Sequence, residues 1–299
     1  MFSSLHGTTQ PFITAHWQTF KATGSILSLA TMLAVIIRQH RTLELLYGGY
    51  CQLFHGPSPV EPCEDEAALI AILQNRPAFI HHGTVSREQL IASYGESFRV
   101  DLLPPDFAWA RWESIWREDE QLIIGEYGED SRIAHVTPTS CALNTYYRQV
   151  RGVRHIHSIE KYGECGEFLV TTGDSSKFLD LWFVGNGQTG FVRRLTRHLA
   201  GFTAVTKVNG EYFFGTDFSS RPNCIQTLDG TKYFFPEKAY KLYVAAFFAF
   251  FDRYFVCVNT ELSAVGPTKT VSVFDAHRRR FVFCEYWDAA GTTAPHRKS

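Results

Sequence analysis

A short apolar run followed by small or polar residues recurs along this chain at a nearly constant interval. It appears as AFIHHGT at 78–84, LIIGEYG at 122–128, FLVTTGD at 168–174, YFFGTDF at 212–218 and YFVCVNT at 254–260. Successive starts lie 44, 46, 44 and 42 residues apart, and a weaker member, LAVIIRQ at 33–39, precedes the first by 45. A period of this size means one supersecondary unit used repeatedly. Each unit has the same grammar. A strand-like run precedes the anchor (ALIAIL at 68–73, WARWESIW at 109–116, VRHIHSI at 153–159, FTAVTKV at 202–208, LYVAAFFAFF at 242–251) and two more follow it. Gly-, Asn- and Asp-rich turns such as VNGE and LDGT separate the runs, as hairpins require. Four short strands in about 44 residues, repeated six times, predict an all-β fold, a six-bladed β-propeller of four-stranded antiparallel blades.

The propeller is expected to fill 25–288 as a single domain. Residues 1–24 are an N-terminal segment whose HWQTFKATG (16–24) supplies the outermost strand of the last blade, and 289–299 form a flexible tail. Around Glu64–Leu73 a helix competes with the strand reading.

Composition agrees with a β-rich soluble chain: 45% hydrophobic and 15% aromatic, with 25 Phe and 13 Tyr against 2 Met; aromatics favour strands. A net charge of −1 offers no global field for nucleic acid or an anionic membrane. Seven cysteines, an odd number without a CxxC pair, fit neither a disulfide framework nor a zinc ribbon and suggest a reducing compartment. The apolar stretch ILSLATMLAVII (26–37) is too short for a membrane-spanning helix and reads as two buried strands. The start lacks the basic residues of a signal peptide, so a cytoplasmic location is expected. With no Walker A, GxGxxG, GxSxG or HExxH motif, no cofactor is expected.

In an up-and-down blade, the start of the inner strand and the end of the second strand lie at the same rim. That rim should collect Arg111, Glu113, His155 and His157 from inner strands, and His81, His82, Glu126, Glu129, Asp174, Lys177, Asp217, Arg221 and Glu261 from the following turns. A glycosidase needs two carboxyls flanking the bond it cleaves, which Glu113, Asp174 and Asp217 would supply. A polysaccharide lyase needs a base and cations against a uronate, which His155, His157, Arg221 and Lys177 would supply. Arg111, Lys177, Arg221 and Trp112 are the candidate substrate-binding residues, beside catalytic candidates Glu113, His155, His157, Asp174 and Asp217. The competing structural readings are turns at Asp174 and Asp217, a buried blade histidine at 155 or 157, and core tryptophans at 109, 112, 116 and 182. No ligand spacing supports a metal on His82, His155 and His157.

RHIHSIEKYGECGEFLVTTGD (154–174) resembles the blade pattern of bacterial sialidase-like propellers with Asp-box (BNR) repeats, and LDLWFVGNGQTGFVRRL (179–195) falls where those carry an Asp box. The resemblance spans roughly 105–287. The Asp boxes are degenerate, and no Arg-Ile-Pro segment opens an arginine triad, so a typical sialidase is not implied. What it implies is a glycan ligand on a propeller. Two readings follow. One is a glycoside hydrolase or polysaccharide lyase acting on a bacterial glycan at the channel rim. The other is a non-catalytic glycan- or protein-binding propeller accessory to polysaccharide biosynthesis. Both expect a saccharide partner, no nucleic acid and no membrane insertion. The enzyme reading expects His157→Ala and Asp174→Asn to abolish turnover while leaving thermal melting nearly unchanged.

Overall fold

The structure, a computed structural model, describes residues 50–75 except 52, 83–107, 109–129, 131–150, 153–164, 166–174, 176–185, 188–197, 201–217, 222–263 and 266–287, with Gln18, Lys21 and Thr23; of 174, 197, 261–263 and 266–268 it describes the backbone alone. Among the described residues four antiparallel sheets stand in a β-propeller arrangement with their strands in chain order, and the inner strand of each is its first long one. Blade 1 comprises β1 (Thr84–Ser86), β2 (Trp109–Glu118), β3 (Gln121–Glu126), β4 (Ile133–Val136) and β5 (Cys141–Asn144). Blade 2 holds β6 (Val153–Tyr162), β7 (Glu167–Asp174), β8 (Phe178–Gly185) and β9 (Gln188–Arg197). Blade 3 holds β10 (Phe202–Val208), β11 (Glu211–Thr216), β12 (Cys224–Thr227) and β13 (Lys232–Phe234). Blade 4 holds β14 (Tyr243–Phe250), β15 (Tyr254–Ser263), β16 (Gly266–Asp275) and β17 (Arg280–Tyr286). The last four anchors of the repeat are the second strands β3, β7, β11 and β15.

Each seam between blades is an apolar layer made by two facing sheets. Ile123, Ile133 and Tyr147 of the first blade meet Ile156, Phe168 and Trp182 of the second. Leu169, Leu179 and Leu181 then meet Phe202, Tyr212 and Phe214. Between blades 3 and 4, Phe213, Ile225 and Phe235 pack on Phe255, Phe274 and Phe281.

Among the described residues there are four blades where the repeat predicts six over the whole chain. The unit expected around 33–39 lies outside the described residues. Of the unit expected over 68–103, residues 76–82 lie outside the described residues, and the runs on either side are not blade strands. ALIAIL lies in helix α1 (Glu66–Gln74), QLIASY forms most of helix α2 (Arg87–Tyr94), and SFRVDLL becomes a turn and a short 3₁₀ segment. Physical cues for both helices are present. Asp65 caps α1 by accepting from the N–H of Ala68 at 2.9 Å, and Ser86 with Gln89 forms a reciprocal capping box on α2. These helices cover apolar faces of the first and last described blades. Ile72, Leu69 and Leu73 of α1 pack on Val256, Val258, Val271 and Val273 of blade 4. Leu90 of α2, with Phe98, Val100, Leu103 and Phe107, packs on Ala110, Leu122 and Ile124 of blade 1.

The strand expected over NTYYRQV is also displaced: Tyr146–Gln149 is a 3₁₀ turn, and the outer strand of blade 1 is Cys141–Asn144. Gln18, Lys21 and Thr23, the described part of 16–24, are helical rather than extended. The outer edge of blade 4 is instead flanked at Val60, which bridges Phe281 in parallel, and by the N–H of Glu61, which bonds to the Phe281 carbonyl at 2.9 Å. The six described cysteines are free. Among the described residues no helix is long and apolar enough to cross a membrane.

Candidate functional site: a belt of bulges at the inner rim

The four inner strands share an irregularity near their N-terminal ends. Register shifts fall between Ala110 and Ile115 in β2, at Arg154 and His157 in β6, between Phe202 and Ala204 in β10, and between Val244 and Ala246 in β14. A bulge removes backbone groups from the ladder, and buried groups so freed must find partners elsewhere. Here they find them in the next blade. His157 Nδ1 lies 3.3 Å from the carbonyl of Phe202, and Thr203 Oγ1 donates to the carbonyl of Val244. Arg111 Nη2 donates to the carbonyl of Ala245 at 2.6 Å, joining the first inner strand to the last. Between blades 1 and 2 the link is an antiparallel backbone bridge from Tyr127 to His155.

In β2 the bulge is built by Ser114, which accepts from the N–H of Arg111 at 3.0 Å and lies 2.8–2.9 Å from the carbonyls of Gly125 and Arg111. It turns Arg111 inward, where Nε donates to Glu113 Oε2 at 3.1 Å with both side chains about nine-tenths buried. The other oxygen, Glu113 Oε1, is buried and has no hydrogen-bond partner. The Arg111 guanidinium lies 5.9 Å from the Tyr127 ring centre. Tyr127 stacks on His155 at 4.0 Å and lies 6.0 Å from His157, and the two imidazoles are 6.2 Å apart. The sequence pair His-x-His does converge, but through bulges at both ends rather than plain alternation. A Cβ at Gly173 would sit 1.9 Å from His157 Cε1, so the glycine of TTGD is what lets the buried imidazole lie flat against β7.

Asp217 and Lys177 approach from the turns. Lys177 Nζ donates to the Asp217 carbonyl at 3.2 Å. Burial raises the Tyr243 hydroxyl above its ordinary pKa, the charge of Asp217 raises it further and that of Arg111 lowers it. Glu126 is sealed in a different pair: its two oxygens take Arg132 at 2.6 and 2.7 Å, and Arg132 reaches on to Asp106 at 3.0 Å. Those hydrogen bonds hold Arg132 firmly protonated. Glu129 is exposed and pairs with Arg154.

Other candidates separate from the belt. Trp112, expected to bind substrate, packs against the blade 1 core, and its N–H bonds to the Gly83 carbonyl at 3.1 Å, one step beyond the β1–β2 pairing. Trp116 packs edge-on against Phe168, and Trp182 is fully buried. Trp109, at the very start of β2, is 48% exposed. Asp174 ends β7 opposite Val153; its side chain, that of Glu261, and residues Arg221, His81 and His82 lie outside the description. Among the described residues no three His, Cys, Asp or Glu side chains gather as metal ligands. Tyr127, Thr203, Gly173 and Tyr243 are belt residues that sequence reasoning passed over. The available signal was position in the repeat: Tyr127 and Gly173 share one offset from their anchors, and Tyr243 shares another with Arg111 and His157.

No protein-family model matches the chain, and no curated protein matches it in sequence.

Proposed function

We propose that the protein is a non-catalytic binding propeller that takes a saccharide across the inner-strand rim. One observation carries this reading: Arg111 and His157, two of the residues best suited to chemistry, are spent on holding one blade to the next, and the His155 imidazole is stacked on Tyr127 of blade 1. Glu113 is neutralised by Arg111, and Glu126 by Arg132. A glycosidase needs one carboxyl free to give a proton and another free to accept one or to attack. A binding module needs a wide aromatic face beside polar groups, and the exposed indole of Trp109 offers one, its carbonyl bonded to the N–H of Tyr127 at 2.8 Å. The resemblance to glycan-binding propellers supports a sugar as the ligand class, with the link to polysaccharide biosynthesis resting on the same footing.

The test is glycan-array screening followed by calorimetry. Trp109→Ala should weaken binding about tenfold or more while leaving thermal melting unchanged; a variant that binds as wild type removes Trp109 from the site. A second reading, hydrolase or lyase, is favoured by the unpartnered Oε1 of Glu113. New reducing ends or unsaturated sugar products, lost in Glu113→Gln, would establish it and set aside the binding-only reading.

A further inference from the structure

We infer that the seam between blades 3 and 4 contains a second polar site, built by Asn259 and Thr270, that holds a neutral hydroxyl oxygen. The two residues are cross-strand partners on β15 and β16, both completely buried. Their register is regular throughout, so alternation places Asn259 on the same face as Phe255 and Cys257, the face that packs on blade 3. Three polar atoms on this pair have no hydrogen-bond partner: Asn259 Nδ2, Asn259 Oδ1 and Thr270 Oγ1.

Buried amides and hydroxyls are almost always satisfied, and a pair of directly opposed residues with three orphan atoms marks the place of a guest. The chemistry of the guest follows from the atoms left open. An amide N–H needs an acceptor, an amide oxygen needs a donor, and a threonine hydroxyl serves as either. A hydroxyl oxygen meets all three, whether it belongs to a water molecule or to a sugar. Neither lining residue carries a charge, so the guest carries none. The site stands one residue from the belt: Val244, the cross-strand partner of Asn259, accepts from Thr203 and precedes Ala245, which accepts from Arg111. Gly215 allows this close approach of blade 3, since a Cβ there would meet Val244 Cγ1 at 2.5 Å.

The guest deepens the binding proposal if it is a sugar hydroxyl and stands independently of it if it is water. Thr270→Val removes the hydroxyl at constant shape. An orphan hydroxyl is a liability whose removal raises stability, whereas an occupied one is an asset whose removal lowers it. The expected result in the ligand-free protein is a melting temperature lowered by several degrees, with a high-resolution crystal structure placing a water within about 3 Å of both residues. Unchanged melting together with saccharide affinity reduced about tenfold assigns the guest to the sugar itself. A higher melting temperature, an empty seam and unaltered saccharide affinity overturn the inference, and none of these depends on whether Trp109 contributes to binding.

Discussion

The two ends of the inner strands solve opposite problems. At the end where these strands begin, every blade carries a bulge, and the joints between blades are polar: His157 to Phe202, Thr203 to Val244, Arg111 to Ala245 and Tyr127 to His155. At the other end the ladders run regularly into tight turns. Asn209 and Gly210 (φ 50° and 74°) close β10 to β11, and Phe251 and Asp252 (φ 54° and 48°) close β14 to β15. Joints there lie on the surface, as in Lys161 with Glu118 and the N–H of Asn209 with Asp252 Oδ1 at 2.6 Å. The contrast teaches that a polar residue on an inner strand is not thereby a functional one. At the bulged end such residues are buried and hold the ring together; at the turn end equivalent pairs are solvated and worth little.

The comparison can be broken most forcefully at Arg111. Arg111→Met leaves Glu113 buried without its cation and Ala245 without its donor, and should cost about 3–5 kcal/mol in urea unfolding. A loss no larger than that of a surface pair would show that the belt does not hold the blades.

Glu160, near the turn end of β6, sharpens the contrast because it is a half-buried carboxyl with no salt-bridge partner among the described residues, at an end otherwise solvated. Burial raises its pKa from 4.5 to about 7, with the neighbouring Lys161 backbone and Lys207 pulling the other way. The folded state therefore holds this proton more tightly than the unfolded chain. Below pH 4.5 both states are protonated and nothing is lost; stability falls as pH rises from there, and the full cost is present above pH 7. Glu160→Gln should be neutral at pH 4 and stabilising by at most about 3 kcal/mol at pH 8. Equal gains at both pH values would show that Glu160 titrates normally.

The smallest effect is expected at Phe251, an exposed aromatic in the left-handed region. Phe251→Gly should stabilise by about 1 kcal/mol, since glycine adopts that conformation without a Cβ clash. Destabilisation would mean that the phenyl ring makes contacts worth more than the strain.

The sequence carried the four blades from 109 to 287 almost strand for strand, because alternating apolar residues between turn formers are a local signal. It failed over 66–94 for an equally local reason: ALIAIL and QLIASY are short apolar runs whose periodicity fits helix and strand alike. The cues that decide between them, Asp65 and the Ser86–Gln89 box, are single residues at the boundary. Arg111, Glu113, His155 and His157 were recognisable as inner-strand residues converging on one rim. Their partners were not, since a bulge depends on the register of two strands and the carbonyl it frees belongs to a third.

By itself, then, the chain determines where strands begin and end and which faces are apolar, since neighbouring residues set both. How many sheets close the ring, and whether a buried imidazole or guanidinium joins blades or meets a ligand, were decided only by packing. Those outcomes turn on atoms more than a hundred residues apart, as with Arg111 and the Ala245 carbonyl, which only the assembled ring brings within 2.6 Å.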